Sequence, residues 1–536
     1  MKIMNKINKY IVLAVFCMTA VGCGDFLEES SQDKDYIHSW KDLNELLLGD
    51  CYLPVNNTGA YTSYNNLGMF IHLLADEMEE QNLGNGINDA IGNVHHYMFG
   101  AVTWQPRIGA SENNTEWYTE NREWKAFYKY INVANNVIEE AKSVPQDNSQ
   151  EVEGVNKVLG EAYFLRAFYY FWLTNMYGQP YDVNKASTDL GVPLKTSPEI
   201  QDVFFKRNTV QECYDQIEAD LLKAEEHLSK VTSARQSLYR ANVEAVRMLL
   251  SRFYLYANDW QKCIEYSEKI ISDHSALENL RTSTDKFMLE TNPENIFSMG
   301  GDDLMRMMSS MYQSTRVSLD LYNSYSINDI RKSAWFWNFG TFTGLIRRTP
   351  GKVSTDVESD DRSWYNTCYY YPSTGLKSPV SSVFWLRTGE AYLNLAEANA
   401  YLGKEDEAKR VLSVLLNNRY VEGAKELVLT ETGDQLIDRI RNERRLETPF
   451  EGHRWFDLRR YRTCSVHPEK IELIHTYTVY REHQSGNIVE TRLYTLEKED
   501  QAWTVNIPYE VLEFNVGMPG NTTNQTREYV IVATPN

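Results

Sequence analysis

The stretch from Val158 to Tyr177, VLGEAYFLRAFYYFWLTNMY, constrains the fold more than any other part of the chain. Apolar and aromatic residues occupy nearly every face of the helix it can form. A helix that is apolar all round must be buried, and Gly178 and Pro180 follow it as stop signals. A chain of 536 residues is long enough to bury such a helix in a sizeable core, and its 42% hydrophobic and 24% charged residues match ordinary globular usage. Long disorder and collagen-like structure are excluded.

Helical periodicity continues on both sides. Thr209–Leu228 places Val210, Cys213, Tyr214, Ile217, Leu221, Ala224 and Leu228 at 3–4 spacing, an amphipathic helix, and Thr209 with Glu212 fits a capping box. Two long regions read as helical, about 121–273 and about 387–461. Within them, Asn242–Asp273 and Thr388–Asn418 resemble one another. Each is a helix, a break (Asn258-Asp259 or Gly403-Lys404), and a second helix in which Ala408 falls where Cys263 does. The period is close to that of a tetratricopeptide repeat. The repeats are not contiguous, so the expected architecture is a mostly α helical-repeat scaffold interrupted by long insertions. The stretches between and after the helical regions read as irregular, rich in Gly, Asn, Ser, Thr and Tyr.

Lys plus Arg number 54 and Asp plus Glu 74, a formal charge of −20. An acidic surface repels phosphate backbones, which excludes nucleic acid as a partner. Residues 1–22 read as an export signal: Lys2, Lys6 and Lys9, then an apolar run from Tyr10 to Ala20 that is too short to span a bilayer. The ending Ala20-Val21-Gly22-Cys23 resembles the lipobox of bacterial lipoproteins, in which the cysteine is acylated and becomes the new N-terminus. Several acyl chains on Cys23 would anchor firmly, at about 0.8 kcal/mol per buried CH₂. Residues 23–34 then form a lipidated tether. Its acidic start resembles the signal that sends some lipoproteins to the outer face of the outer membrane. The cysteines beyond Cys23 are odd in number, scattered, and lack C-x-x-C spacing, so buried thiols are expected rather than a zinc or redox site.

No G-x-S-x-G, Walker A, G-x-G-x-x-G or H-E-x-x-H string occurs. His95 and His96 are adjacent and would point apart on a helix or strand, so joint metal ligation is not expected. The sharpest charged cluster is IRNERRLETPFEGHRWFDLRRY, residues 440–461. Glu451 and Asp457 could be a glycosidase pair. Arginine outnumbers carboxylate there, which lowers carboxylate pKa values rather than raising one to act as an acid. A buried ion-pair network is the expected reading, and no cofactor, metal or catalytic residue is assigned.

Aromatic content is 12%, with 35 Tyr and 12 Trp. Tyr and Trp pair a flat apolar face with a polar handle. Sugar rings stack on such faces, and loop aromatics suit that role, although they equally pack loops onto helices. Tyr64, Tyr97, Trp104, Trp335 and Trp337 are the candidate ligand-binding residues.

Many strings in order resemble the RagB/SusD family of surface lipoproteins. They include Cys23 with Asp25-Phe26-Leu27, Glu161 to Ala167, Ile217 to Leu221, and Pro293 to Ser298. Asp329-Ile330-Arg331, Arg387 to Leu393, Glu443-Arg444-Arg445, Glu451 to Arg460, and Ile507-Pro508 with Glu510 follow. The E-G-x-R-W-x-D-L-x-R string is the most specific. The tail departs from the family pattern at Asn524 to Tyr529. The resemblance implies a SusD-like fold over 35–536, with about four tetratricopeptide-like helix pairs. The scaffold would lie at about 35–80, 121–273 and 387–461 plus the C-terminal segment. Loop-rich insertions at about 81–120 and 281–386 would carry the ligand site. The implied role is that of a lid on a SusC-like TonB-dependent barrel transporter, lipid-anchored to the outer membrane, capturing a glycan or, less often, a peptide. This is binding rather than catalysis.

Overall fold

The computed structural model describes residues 37–53, 67–68, 70–81, 89–112, 120–233, 237–283, 287–300, 315–339, 342–345, 380–482, 485–522 and 526–534. Cys23, the signal and the tether lie outside them. Helix α1 (Trp40–Asp50) is followed by the short α2 (Ile71–Leu74), strand β1 (Met78–Glu80) and α3 (Asp89–Val102). The first helical run is α4 (Arg122–Glu140), α5 (Ser149–Tyr177), α6 (Val210–Leu228), α7 (Val243–Tyr256) and α8 (Trp260–Asp273). Short elements come next: β2 (Asn295–Ser298), β3 (Thr315–Val317), α9 (Leu319–Ser324), α10 (Ile330–Trp335), β4 (Phe336–Phe339), β5 (Phe342–Leu345) and β6 (Trp385–Arg387). The second run is α11 (Thr388–Tyr401), α12 (Glu405–Leu416), α13 (Gly433–Glu447) and α14 (Arg454–Arg462). The chain closes with β7 (Leu473–Glu482), β8 (Ser485–Leu496), α15 (Tyr509–Phe514) and β9 (Val530–Ala533).

The apolar stretch forms the second half of α5, and its residues from Phe164 to Tyr177 are all buried. Asn148 caps the helix, its side chain accepting from the Glu151 amide. Helices α4 and α6 pack along its flanks, and α7, α8 and α11 continue the stack. Thr209 and Glu212 form the expected capping box of α6. Both expected helical hairpins are present, α7 with α8 and α11 with α12. Their tight turns use left-handed backbone at Asn258 (φ 58°) and Gly403 (φ 70°). The architecture is mostly α and tetratricopeptide-like. Cys51, Cys213, Cys263 and Cys464 are free and buried, and burial pushes the Cys213 thiol up to about 11 and the Cys263 thiol up to about 12.

Two expectations need correction. The stretch 81–120, read as loop-rich, contains the 14-residue α3. The chain after 461, read as irregular, carries the long antiparallel pair β7–β8, with β9 added at its edge. Burial alternates along the start of β7: Leu473, His475 and Tyr477 are buried, while Ile474 between them is 56% exposed.

The insertion 281–386 is fastened to the scaffold by β2–β6 pairing and by a buried ionic lattice. Arg331 of α10 binds Asp329, Glu443 and Glu447 at 2.7, 2.9 and 3.0 Å. Arg387 binds Glu294, Glu447 and Glu451 at 2.8, 2.8 and 2.9 Å. Arg419 binds Glu294 and Glu447 at 2.5 and 2.8 Å. All three arginines are fully buried. Burial opposes ionisation of Glu447, but the guanidiniums of Arg419, Arg387 and Arg331 more than offset it and hold the carboxyl well below its usual range. Removing one member of a buried pair typically costs about 3–5 kcal/mol, because the remaining charge is left uncompensated. Glu447→Gln is therefore expected to lose about that much in urea unfolding. Arg410→Ala, in an exposed i,i+3 pair with Glu407, should change stability by less than about 0.5 kcal/mol.

Candidate functional site

A well-formed cavity lies where the insertions meet the C-terminal sheet. It has a volume of about 750 Å³. One wall is the ribbon of β1 and β3, paired antiparallel with Met78 opposite Val317 and Glu80 opposite Thr315. The second wall is α3, which contributes His95, Met98 and Val102. Their i, i+3, i+7 spacing puts them on one helix face. The third is β7, from Leu473 to Tyr477.

The charged groups in the walls, the exposed Glu472 excepted, are held by partners from other elements. Glu80 accepts from the Thr478 amide at 2.7 Å and the Thr478 hydroxyl at 3.0 Å, and faces His95 Nε2 at 3.0 Å. The His95 ring stacks on Tyr477 with centroids 4.3 Å apart. Arg316 binds Glu79 at 2.7 Å across the ribbon. Asp76 receives a two-pronged Arg454 at 2.7 and 2.8 Å, and Arg445 at 3.0 Å. Burial opposes ionisation of Asp76, yet Arg454 and then Arg445 hold its carboxyl well below the usual range. The floor is His475, whose Nδ1 and Nε2 lie 2.8 and 3.1 Å from the carbonyls of Val102 and Ala75. Burial pulls the His475 pKa down, against those two carbonyls. The walls thus combine carboxylate acceptors, the Arg316 and hydroxyl donors, and apolar surface from Leu73, Met98, Leu473 and Ile474.

The expected ligand residues are dispersed. Tyr64 lies outside the described residues. Tyr97 belongs to α3 and Trp337 to β4, opposite Gly344; their side chains are outside the description. Trp104 is 1% exposed, donates its indole N–H to the Leu74 carbonyl at 3.0 Å, and stacks on His475 with centroids 4.2 Å apart. It sits behind the cleft floor, edging a second hollow of about 470 Å³ beside Arg527 and Asp500. Trp335 is fully buried against Phe287, with centroids 5.0 Å apart. Both tryptophans pack the core and expose no face on which a sugar could stack, which corrects the reading of these two as an exposed platform. The carboxylates Asp76, Glu79 and Glu80, and Arg316 opposite them, were not singled out from sequence. The run Met78-Glu79-Glu80 next to an apolar segment was the available signal, but only strand pairing brings it against Arg316.

Glu451 and Asp457 are each 2% exposed. Glu451 binds Arg387 and Asp457 binds Arg460 at 2.8 Å, so the expected ion-pair network is what forms there. Among the described residues, no group of three or more His, Cys, Asp or Glu could hold a metal ion, and no helix is long and apolar enough to cross a membrane.

The helix-pair stack with a cleft in its insertions defines a tetratricopeptide-like binding-protein fold. Two family models match most of the chain: "Starch-binding associating with outer membrane" over residues 26–255 and "SusD family" over 321–522. The chain belongs to the SusD/RagB family. It is similar to SusD-like protein P38 of Formosa agariphila, 26% identical over 63% of this chain and 72% of the relative. A SusD-like protein of Bacteroides ovatus is 22% identical over 84% of this chain and 82% of the relative. Among solved structures, a putative sugar-binding protein from Bacteroides vulgatus superposes with a TM-score of 0.65 at 19% identity, covering 91% of this chain and 99% of that one. Surface glycan-binding protein A from Bacteroides thetaiotaomicron, in complex with laminarihexaose, superposes with a TM-score of 0.58 at 16% identity, covering 90% and 98%.

The Asp76 contacts carry a pH signature. A carboxyl whose folded pKa is depressed adds stability above its unfolded pKa, near 3.9, and loses it as pH falls through the folded value. Because the Asp76 side chain is 25% exposed, solvent screening reduces the effect. Asp76→Asn is expected to destabilise by about 1–2 kcal/mol at pH 7. Thermal melts of both proteins should converge as pH drops below about 4.

Proposed function

We propose that the protein is a lipid-anchored binding protein on the outer face of the outer membrane, which captures glycans and passes them to a SusC-like TonB-dependent barrel transporter. The observation that carries the reading is the cleft of about 750 Å³, built from the insertions but backed by rigid scaffold helices. Its volume falls in the range of small-ligand sites and suits a short oligosaccharide. Sugar hydroxyls can donate to Glu79 or Glu80 and accept from Arg316 or Thr476, while apolar sugar faces lie against Ile474 and Met98. Relatives described as starch-binding or sugar-binding support the ligand class. The lipobox-like Cys23 and the acidic residues after it support anchoring and outward orientation. Domain limits follow the same reading: signal 1–22, tether 23–34, binding fold from 35.

The test is affinity electrophoresis of the detergent-solubilised chain through a panel of soluble polysaccharides, with reaction mixtures assayed for new reducing ends. Retention by at least one glycan without products is expected. Thr476→Ala and Arg316→Ala should each weaken that retention about tenfold, a loss of one or two polar contacts, with melting temperature shifted by less than a few degrees. New reducing ends would make the protein a hydrolase. Retention of peptides with silence toward every glycan would make it a peptide-capturing member of the same fold. Affinity capture from the native outer membrane should co-purify a barrel transporter.

A further inference from the structure

Among the described residues, the arginines at or behind this cleft are each already committed to a carboxylate. Arg316 is bound by Glu79. Arg445 and Arg454, behind the wall, are bound by Asp76, and Arg445 also by Asp320 at 2.8 Å. The carboxylates, in contrast, are in excess. Asp320 keeps 78% of its side-chain surface exposed despite its pair. Glu472 lines the cavity, is exposed, and has no ion-pair partner among the described residues. An ionised carboxylate only accepts hydrogen bonds, and so does the carboxylate or sulfate of a charged glycan. Two such groups meeting across the cleft leave acceptors facing acceptors and like charges apposed. A hydroxyl or an ammonium group donates and meets no such penalty. The charge of the whole chain, −20, adds a field of the same sign at longer range.

Resting on the glycan-capture reading above, we propose that this cleft takes uncharged or amino-bearing oligosaccharides and rejects uronate- and sulfate-bearing ones, with Glu472 and Asp320 setting the selection. Both residues lie on the cavity wall and on the solvent side. They can therefore select a ligand by charge without being needed for folding. The device is repulsive: the wrong ligand is excluded by placing acceptors against its acceptors.

The experiment is isothermal calorimetry of the whole chain in detergent with four hexasaccharides: laminarihexaose, hexa-N-acetylglucosamine, hexaglucosamine and hexagalacturonate. At least one of the first three should bind about tenfold or more tightly than hexagalacturonate at low salt. Raising sodium chloride to 0.5 M should narrow the ratio, because screening shortens the reach of exposed charges to a few ångströms. Glu472→Lys and Asp320→Asn should narrow it at least threefold without loss of melting temperature. Hexagalacturonate binding as tightly as the others, or a ratio unmoved by both variants and by salt, overturns the charge selection while leaving glycan capture standing. Silence toward all four sugars, together with silence in the polysaccharide panel, overturns glycan capture and this inference with it.

Discussion

The structure depends on a lattice of fully buried arginines and carboxylates that joins segments far apart in sequence. Glu447 alone meets Arg331, Arg387 and Arg419, while Glu294 meets the last two. Moving such charges out of water is expensive, and their mutual attraction repays it only when every lone pair and N–H is satisfied. The lattice is therefore close to all-or-none. It forms only when α10, β6, the loop after α12 and the end of α13 are all in place. Glu294, Asp329, Arg331, Arg387, Glu443 and Glu451 come from the strings that look most like family signatures, which explains why those strings carry fold, while Glu447 and Arg419 lie outside them. The same physics removes Glu451 and Asp457 from consideration as a hydrolytic pair, since buried arginines keep both engaged.

The cleft inherits its rigidity from the scaffold. Arg445 and Arg454, on α13 and α14, both reach across to Asp76, just before β1. The Ser318 hydroxyl donates to the Asp76 carbonyl at 2.7 Å, and the Phe450 amide donates to Glu77 at 2.7 Å. The β1–β3 wall is thus tied at its base to the same helices that build the lattice. A wall held in this way loses little freedom when a ligand arrives, and preorganisation of this kind is how a modest set of polar contacts gains affinity. The floor is equally fixed: His475 is gripped by two carbonyls and covered by the Trp104 ring.

Trp104 and Trp335 show how a sequence signal can be read correctly as aromatic and wrongly as exposed. Both lie in stretches that look irregular, and composition cannot tell a loop ring facing solvent from one facing a helix. Trp104 sits at φ 49°, a left-handed turn after α3 that swings its indole inward onto Leu74 and His475. Long helices were legible because 3.6-residue periodicity, caps and stop residues are local. The β7–β8 pair was missed because its alternation is interrupted by Thr478, which is buried next to buried Tyr477 so that its hydroxyl and amide can reach Glu80.

The sequence by itself determined the mostly α scaffold, the paired helical hairpins, the acidic character and the ion-pair role of the arginine-rich cluster. Each of these rests on spacing within one segment or on a sum over the chain. Only the tertiary structure decided where a ligand could sit. The cleft brings together residues near positions 76–80, 95–102, 315–320 and 472–477. No local pattern links those four stretches. Strand pairing and long-range ion pairs bring them to one place, and burial decides which aromatic rings are left to meet a ligand.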